Sequence, residues 1–404
     1  MSTPIPQATN AAPRPVRVFI SAGEVSGDLA GADLARELAR LAPPGGGIRL
    51  TGLGGSAMAA AGVDIRENLV SGAVMGLTRV IAKLPSIVSL LARTRRLLEA
   101  ERPDVFVPID YPGLNFRIAA MAREMGIPVA WYVSPQIWAW ASGRIDKIRA
   151  LVDEMIVILP FEASYYAERG VRATFVGHPA VDRLARQTLD TALNETLRAP
   201  LVGILPGSRA QEIRAHLPLL LEAGARMAAS EPGLRFAIPY PGEDDTLFER
   251  IRSAVARSGI ATRTAVLRGR AYDVMLRSRV ALVSSGTATL ELAAVRVPMV
   301  ILYRTGRLAS ALARRLIRTE HIGLANILAG KLAVPEFLTS GWPAAEMAAA
   351  ALRLFREGAE RDRAIAELAA VRESLGPPGV AARAAAVVAR VAGLAPVAPA
   401  PDVE

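Results

Sequence analysis

Short apolar runs alternate with helical patterns along most of the chain. Residues 16–20 and 201–205 are apolar runs of strand length, and the residues after each run carry apolar side chains at helical spacing. Similar runs occur at residues 48–53, 104–109, 128–133, 154–159, 173–176, 235–238, 264–267, 280–284 and 298–302. Strands that alternate with helices through short loops predict an α/β fold with doubly wound parallel sheets.

The alternation stops between residues 183 and 200, where a polar helix and a loop are predicted. We therefore place a domain boundary there and predict two Rossmann-like domains. An alanine-rich pattern near the C-terminus predicts further helices, and both ends have the composition of disordered chain. The predicted regions are a disordered N-terminus (1–15), a first domain (16–190), a second domain (198–345), C-terminal helices (346–392) and a disordered tail (393–404).

A strand, a Ser/Gly turn and a helix start lie at residues 280–291 of the second domain. Backbone N–H groups and the helix dipole make such a turn an anion site suited to a diphosphate. Glu291 is near enough on the same helix to accept hydrogen bonds from a ribose. Alternatively, Thr287 only caps the helix and Glu291 is an ordinary first-turn acid. A second turn of this kind at residues 205–209, which includes Arg209, favours the diphosphate.

The first domain has a comparable turn at residues 21–28, directly after its first strand. Glu24 and Asp28 would repel a pyrophosphate, so we predict contact with a polyhydroxyl or other neutral group. The alternative is a tight turn with an aspartate cap. Other strands of this domain end at residues 110–115 and 134–140. Ligands of parallel sheets gather beyond the carboxyl ends of the strands, which is where these motifs are expected.

Composition narrows the classes of protein. The 404 residues are 51% hydrophobic and 21% charged, which predicts a globular chain of two or three domains. The absence of cysteine excludes disulfides and thiolate metal sites, and the three histidines are far apart. A net charge of +10 favours an anionic partner, although only three of the 48 basic residues are lysine and arginine dominance also fits a genomic bias.

Two basic amphipathic stretches, residues 74–98 and 308–317, are suited to a membrane surface. The alternative for each stretch is an ordinary core-facing helix with a solvated basic face, which is the more common structure. Residues 1–15 lack the apolar segment of a signal peptide. No apolar run reaches the ~18 residues of a spanning helix. A cytoplasmic location is therefore expected.

Nine motifs in order make the chain resemble lipid-A-disaccharide synthase, an inverting GT-B glycosyltransferase of family 19, from about residue 16 to 390. The motifs lie at residues 21–28, 74–76, 109–115, 132–140, 159–162, 176–179, 205–212, 285–291 and 326–336. One departure is Gly113-Leu114, where family members often carry an acidic-aromatic pair. The resemblance implies two Rossmann-like domains that face each other across a cleft, the first for acceptor and membrane, the second for the UDP-sugar.

The implied reaction transfers 2,3-diacylglucosamine from UDP to 2,3-diacylglucosamine 1-phosphate, giving a β-1,6-linked tetraacyl disaccharide 1-phosphate and UDP. Inversion by single displacement needs one general base and stabilisation of the leaving diphosphate. Asp110, which closes a buried strand, is the predicted base, unless it is only a turn acid. The predicted site residues are, for catalysis, Asp110, Glu24 and His178; for UDP, Gly207, Ser208, Arg209, Glu212, Ser285, Gly286, Thr287, Glu291 and Asn326; and for the acceptor, Gly23, Ser26, Gly27, Asp28, Met75, Asn115, Ser134 and Trp138.

Several assignments stay open at this stage. Glu24 and His178 either orient the acceptor or satisfy a turn, and Trp138 is either core or a platform for sugar and acyl chains. No metal or cofactor is expected, because the chain has no Asp-x-Asp motif. The acylated substrates imply a peripheral inner-membrane enzyme, and the C-terminal helices are compatible with a homodimer. Competing functions are a UDP-sugar 2-epimerase, which needs two acid/base groups, and a basic scaffold, which the dispersed charges disfavour.

Overall fold

The computed structural model describes residues 14–42, 47–70, 84–140, 142–242, 244–304 and 320–394. It divides into two compact units, one of residues 1–137, 143–176 and 379–404, the other of residues 138–142 and 177–378. The division at residue 177 precedes the predicted boundary. Met75, residues 74–83 of the first amphipathic stretch, the second stretch at 308–317 and most of the terminal segments lie outside the described residues.

The first unit contains a seven-stranded parallel sheet in the order β3-β2-β1-β4-β5-β6-β7. Val16 pairs with Ile48 on one side of the first strand, and Val18 pairs with Val105 on the other. The order therefore reverses between β1 and β4, which is where a doubly wound sheet binds ligands. The strands are β1 (Val16–Ala22), β2 (Ile48–Gly54), β3 (Asp64–Asn68), β4 (Val105–Ile109), β5 (Ala130–Tyr132), β6 (Glu154–Val157) and β7 (Ala173–Phe175).

Helices follow these strands because apolar residues recur on one face of each segment. In the first helix, Leu34 and Leu38 are buried and Arg40 supports the C-terminal dipole. Pro112 and Pro160 begin later helices at the position where a missing N–H costs nothing. The helices are α1 (Val25–Arg40), α2 (Ser56–Ala60), α3 (Leu84–Glu101), α4 (Pro112–Glu124), α5 (Ile137–Trp140), α6 (Ile145–Leu151) and α7 (Pro160–Ala167).

The second unit contains a six-stranded parallel sheet in the order β10-β9-β8-β11-β12-β13. Its order reverses between β8 and β11. These two strands are neighbours, and Leu205 pairs with Val283 near their carboxyl ends. Both predicted anion turns follow these two strands, so they lie at the switch point of this sheet. The strands are β8 (Leu201–Leu205), β9 (Arg235–Tyr240), β10 (Thr264–Arg268), β11 (Ser278–Ser284), β12 (Met299–Arg304) and β13 (Glu336–Thr339).

The helices of the second unit range from one to six turns. They are α8 (Pro179–Ala185), α9 (Ala210–Ser230), α10 (Asp245–Ala256), α11 (Ala271–Arg277), α12 (Thr287–Ala294), α13 (Leu324–Ala329), α14 (Ala344–Phe355) and α15 (Ala359–Ser374). Two parallel, doubly wound sheets confirm the predicted α/β class with Rossmann-like halves.

One further helix, α16 (Val380–Val391), returns the chain to the first unit. Its buried face includes Val380, Ala384 and Val388, which join the same core as Leu34 of α1. Arg383 donates from Nε to the Val176 carbonyl at 3.0 Å. The alanine-rich composition of this helix allows its backbone to lie close to α1.

In the described part of the chain, no helix combines the length and hydropathy needed to cross a bilayer.

Candidate active site

Asp110 follows β4 in an unusual backbone conformation. Asp110 and Tyr111 have φ angles of 42° and 48°, in the left-handed region that residues with a Cβ rarely adopt. The Asp110 N–H donates to the Tyr132 carbonyl at the end of β5 at 3.1 Å. The side chain is partly exposed. The strand end thus presents a solvent-accessible carboxylate on a backbone that the surrounding structure must hold in place.

Asn115 supplies part of that restraint. Its Nδ2 donates to the carbonyl of Asp110 at 2.7 Å and reaches the carbonyls of Ile109 and Ser21 at 3.3 and 3.4 Å. Its Oδ1 accepts from Ser21 Oγ at 2.8 Å, so the amide joins the ends of β1 and β4. Asn115 and Ser21 are both 0% exposed. This geometry gives Asn115 a positioning role beneath Asp110, in place of the predicted contact with the acceptor.

The turn after β1 lies against Tyr111. A Cβ on Gly23 would overlap the Tyr111 ring, so only glycine allows this packing. Burial, and then the charge of Glu24, raises the pKa of the Tyr111 phenol. Glu24 and Ser26 are partly exposed at the start of α1. They are therefore the members of this turn that can contact a ligand.

Gly27 and Asp28 have structural tasks in the described fold. Gly27 is buried, and a Cβ added there would be in van der Waals contact with Ala22 and Ile109. Asp28 accepts from the N–H groups of Gly55, Ala57 and Met58 at 2.8, 3.0 and 3.2 Å. Its carboxylate thus satisfies the N-terminus of α2. We reassign Asp28 from acceptor binding to this capping role.

Ser134, after β5, is held by a buried carboxylate. Its Oγ donates to Oε1 of Glu162, whose Oε2 accepts from the Leu159 N–H at 3.1 Å. Ser134 is 4% exposed and Glu162 1% exposed, so the serine orients this loop from below. Trp138, in α5, is also buried, which favours the core alternative.

The N-terminus of α12 offers free hydrogen-bond donors in the second unit. The N–H groups of Gly286, Thr287 and Ala288 donate to no acceptor in the described residues. Gly286 and Thr287 are exposed. Thr289 is buried and closes the turn, with Oγ1 donating to the Gly286 carbonyl at 2.8 Å. Exposed N–H groups at the positive end of a helix attract an anion.

Glu291 lies one turn further along α12 and is fixed by neighbouring helices. Tyr272 of α11 donates its hydroxyl to Glu291 Oε1 at 3.3 Å, and Arg183 Nη1 of α8 lies 3.6 Å from the same oxygen. The side chain of Glu291 is 14% exposed. Both partners approach Oε1. The carboxylate is thereby oriented without being fully buried.

The second anion turn, after β8, has its own internal anion. Glu212 Oε2 accepts from the N–H groups of Ser208 and Arg209 at 3.1 and 3.3 Å, and Oε1 accepts from Arg209 Nη1 at 3.0 Å. Gly207 has φ 110°, and a Cβ there would overlap Glu212. The Glu212 carboxylate thus accepts from two N–H groups that were predicted to bind a phosphate. Glu212 positions this turn, and the half-exposed Arg209 side chain is what the turn presents.

Asn326 has a structural role instead of a contact with UDP. Its Oδ1 accepts from the Val334 N–H at 3.0 Å, and its Nδ2 donates to the Val334 carbonyl at 2.9 Å and to Glu336 Oε2 at 3.0 Å. Glu336 also accepts from the N–H of Gly323 at 2.9 Å. The adjacent Ile322 carbonyl accepts from Ser285 Oγ at 3.2 Å. Glu336 of β13, which Asn326 of α13 contacts, thus holds the segment that Ser285 contacts.

His178 is a helix cap. Its Nδ1 accepts from the Ala180 N–H at 3.2 Å, at the start of α8. Burial, and then the charge of Arg183, lowers the pKa of His178 to about 3. A neutral imidazole whose acceptor nitrogen caps a helix is not suited to proton transfer near neutral pH. These contacts give His178 a structural role, and its catalytic role stays a prediction.

Sequence reasoning missed several residues that organise the two sites. They are Ser21, Tyr111, Glu162, Arg183, His216, Tyr272 and Glu336. His216 is buried between the Pro206 carbonyl, 3.3 Å from Nδ1, and the Arg304 N–H, 3.2 Å from Nε2. Its helical position on the apolar face of α9 was the available signal, because a histidine among leucines needs buried partners.

Comparison with known proteins gives a consistent result along the chain. The family model described as lipid-A-disaccharide synthetase matches residues 18–388. A lipid-A-disaccharide synthase of Geobacter metallireducens is 38% identical over 381 residues, 93% of this chain and 97% of the relative. That of Myxococcus xanthus is 37% identical over 375 residues, 92% and 96% of the two chains.

Solved structures resemble the fold at low identity. The UDP co-structure of Staphylococcus aureus MnaA has a TM-score of 0.66 at 11% identity and covers 95% of this chain and 99% of its own. The glycotransferase of kitacinnamycin has a TM-score of 0.63 at 18% identity, with 94% and 99% covered. Epimerases and glycosyltransferases thus share this two-sheet architecture, and the fold alone does not separate them.

Proposed function

Because this chain belongs to the lipid-A-disaccharide synthase family, we propose how its residues divide the work of that family's reaction. The chain is a glycosyltransferase of lipid A biosynthesis. It transfers 2,3-diacylglucosamine from its UDP conjugate to 2,3-diacylglucosamine 1-phosphate, and UDP leaves. The α-linked donor gives a β-1,6-linked product, so the anomeric carbon is inverted in a single displacement.

Asp110 is the general base in this proposal. The acceptor 6-hydroxyl must lose its proton as the new bond forms, and a partly exposed carboxylate can accept it. The observation that carries the assignment is the left-handed backbone at Asp110 and Tyr111, held from beneath by the buried Asn115. Strained backbone clusters at functional sites when the surrounding structure holds it in place, as Asn115 does here. Glu24 and Ser26 are candidates for contact with the acceptor sugar.

The N-terminus of α12 receives the diphosphate of the donor. Its N–H groups at Gly286, Thr287 and Ala288 have no acceptor among the described residues, and the helix dipole stabilises the charge that grows on the leaving UDP. Ser285 orients the turn through the Ile322 carbonyl. Arg209 adds a cation to this binding site, while Glu212 holds its turn in shape.

Glu291 binds the ribose of UDP in this proposal. A carboxylate with one oxygen fixed by Tyr272 and Arg183 can accept hydrogen bonds from vicinal hydroxyls with its other oxygen. Its place one turn after the anion site, about 6 Å along the helix axis, gives a nucleoside diphosphate two attachment points on a single helix.

Helix α3 is the proposed membrane contact. Val88 is 64% exposed, and Ile87, Leu90 and Leu91 around it are partly exposed. Arg93 pairs with Glu67 and Arg95 with Glu99 and Glu124, so apolar contact contributes more than charge here. Both substrates carry acyl chains, which explains why such a surface is useful. We propose peripheral attachment to the inner membrane on its cytoplasmic side.

Homodimer formation stays a prediction. The apolar face of α16 is used inside the first unit, next to α1. The other C-terminal helices, α14 and α15, bury Met347 and Leu368 within the second unit. These packed faces are therefore not available for self-association.

Replacement of Asp110 by asparagine tests the base. Asp110→Asn keeps the shape of the side chain but cannot accept the proton, so kcat should fall roughly 10²–10⁴-fold. UDP affinity and folding should be retained. Asp146→Asn, at an exposed position of the same unit, is the matched control and should leave kcat unchanged. Near-normal turnover of Asp110→Asn would remove the residue from the mechanism.

The assay also separates transfer from epimerisation. UDP should be released only when both the UDP-diacylglucosamine and the monosaccharide phosphate are present, and mass spectrometry should identify the tetraacyl disaccharide 1-phosphate. UDP release or C2 epimerisation without acceptor would contradict the assignment.

A further inference from the structure

A polar cavity lies at the amino ends of strands in the second sheet, whereas the proposed UDP site lies at the carboxyl ends. It has a volume of about 410 Å³ and is formed at the amino ends of β9 and β10, beside the segment that precedes β8. The five residues of β8 span roughly 17 Å. The cavity is therefore separated from the turn after β8 by the length of a strand, and it belongs to neither set of site residues described above.

Three arginines line this cavity, Arg198, Arg235 and Arg263. One carboxylate, Glu195, lies among them. The lining is therefore positively charged. Arginine has a planar set of donors that matches the oxygens of a phosphate, so three of them around one cavity are suited to such an anion.

Arg235 carries the clearest sign that a ligand is needed. Its Nε is buried and has no hydrogen-bond partner among the described residues. The structure also assigns its guanidinium no ion pair there, while its backbone N–H is satisfied by the Pro200 carbonyl at 3.0 Å. A buried donor without an acceptor is destabilising, so an acceptor supplied by a ligand would be bound favourably.

The other cationic groups are held at the rim by local structure. Arg263 Nη1 donates to the Pro232 carbonyl at 2.7 Å, which fixes the direction of its side chain. Leu197 is buried against Leu201 and Ala237, and this anchor fixes the position of the exposed Arg198 next to it. The fold thus positions Arg263 and the backbone at Arg198, whereas the Arg198 side chain is exposed.

Threonine hydroxyls complete the set of donors. Thr196, Thr262 and Thr264 line the same cavity, and Thr264 Oγ1 already donates to the Ile260 carbonyl at 2.7 Å. Thr196 and Thr262 are exposed and add neutral donors beside the cations.

We propose that this cavity binds a phosphate-class anion, either free in solution or as the phosphate of a lipid headgroup. The site is separate from UDP binding and takes no part in the transfer step. It gives the second unit an independent attachment point for an anion.

Calorimetry with inorganic pyrophosphate tests the proposal on the full chain. Saturating UDP is present, so that the proposed donor site is occupied. The wild type should bind pyrophosphate, and Arg235→Gln and Arg198→Gln should each weaken it roughly 10-fold or more. Arg198 is exposed, so its variant tests the site even if Arg235→Gln fails to fold. Arg257→Gln, at an exposed arginine of the same unit, is the control and should bind as the wild type does.

A parallel flotation assay with phosphatidylglycerol vesicles distinguishes the two sources of phosphate. Binding of vesicles that Arg198→Gln and Arg235→Gln reduce, but Arg257→Gln does not, identifies a lipid headgroup. Binding of pyrophosphate alone identifies a free anion, and either result supports the site. Absence of both, or equal losses in all three variants, would overturn the proposal and reduce it to general surface charge.

Discussion

Removal of the Asn115 amide should lower kcat, although the buried Asn115 is not proposed to contact the substrate. Asn115→Ala deletes the group that joins the end of β1 to the loop carrying Asp110. Asp110 and Tyr111, with φ 42° and 48°, then lose a restraint that keeps them in the left-handed region. We expect the loop to relax toward an ordinary conformation and to carry the Asp110 carboxylate away from its working position.

The strain energy of Asp110 and Tyr111 and the energy of the Asn115 hydrogen bonds are of similar size. The left-handed region costs roughly 1–2 kcal/mol per residue, so the two residues store about 2–4 kcal/mol. Asn115 makes two short hydrogen bonds, 2.7 Å to Asp110 O and 2.8 Å from Ser21 Oγ. Its removal deletes both hydrogen bonds, at ~1–3 kcal/mol each. Loss of the amide therefore removes about as much free energy as the strain requires.

Urea unfolding and steady-state kinetics measure the two effects separately. Asn115→Ala should lower the free energy of unfolding by less than the two hydrogen bonds alone would give, at most about 4 kcal/mol, because relaxation of the strained loop recovers part of the loss. With the protein still folded, its kcat should fall on the order of 10²-fold, because the base is displaced. Ser21→Ala is the matched variant. It leaves the bond between Asn115 and Asp110 intact, so it should lose ~1–2 kcal/mol of stability with kcat near the wild-type value.

Two results would refute this reasoning. If Asn115→Ala loses stability but keeps kcat within about twofold, the amide supports the fold and does not position the base. If Ser21→Ala loses as much kcat as Asn115→Ala, the contact with Asp110 is not the relevant one, and general softening of the strand ends explains both.

Three further predictions concern other parts of the molecule. Glu291→Gln should weaken UDP more than inorganic pyrophosphate in calorimetry, because its proposed partner is the ribose; equal losses would leave Glu291 as a helix acid. The pKa of His178 is about 3 in the folded chain and near 6.5 in the unfolded chain. Between these values only the unfolded chain binds the proton. The free energy of unfolding should therefore fall by about 2 kcal/mol between pH 7.5 and pH 5. His178→Asn keeps a capping side chain and should lack this component, and an unchanged pH dependence in urea would contradict the assignment. Val88→Ser should weaken flotation with phospholipid vesicles by up to about tenfold, whereas Leu332→Ser, at a 58% exposed leucine of the second unit, should not; equal effects would exclude α3 as the contact.

The interior strands could be predicted from the sequence because both of their faces are buried. β8 and β4 consist of buried residues throughout, and apolar runs mark them directly. The two strands that were missed, β3 and β13, lie at sheet edges and have no fully buried residue. Their polar sequences Asp-Ile-Arg-Glu-Asn and Glu-Phe-Leu-Thr carry little signal, since their pairing comes from the neighbouring strand.

The site was predictable in position but less so in role. Asp110 and the turn at Gly286 lie at the carboxyl ends of strands, as the alternation predicts. The roles of Asp28, Asn115, Asn326 and Glu212 depend on which N–H or carbonyl groups come within hydrogen-bonding distance, and for Asp28 those groups are about 30 residues away in sequence. Polar residues near a binding site can serve either the ligand or the turn, and only the folded geometry distinguishes the two.

The return of α16 to the first unit separates the order of synthesis from the order of folding. About 200 residues lie between β7 and this helix, and at ~5–20 residues per second a ribosome needs roughly 10–40 s to make them. Until then, α1 lacks the neighbour that covers part of its apolar face. All strands of the second unit precede α16. The second unit can therefore fold completely before the last helix of the first unit has been synthesised. A nascent chain stopped before residue 380 therefore exposes a defective core in the unit that carries Asp110, a feature by which chaperones and proteases can distinguish it from a finished enzyme.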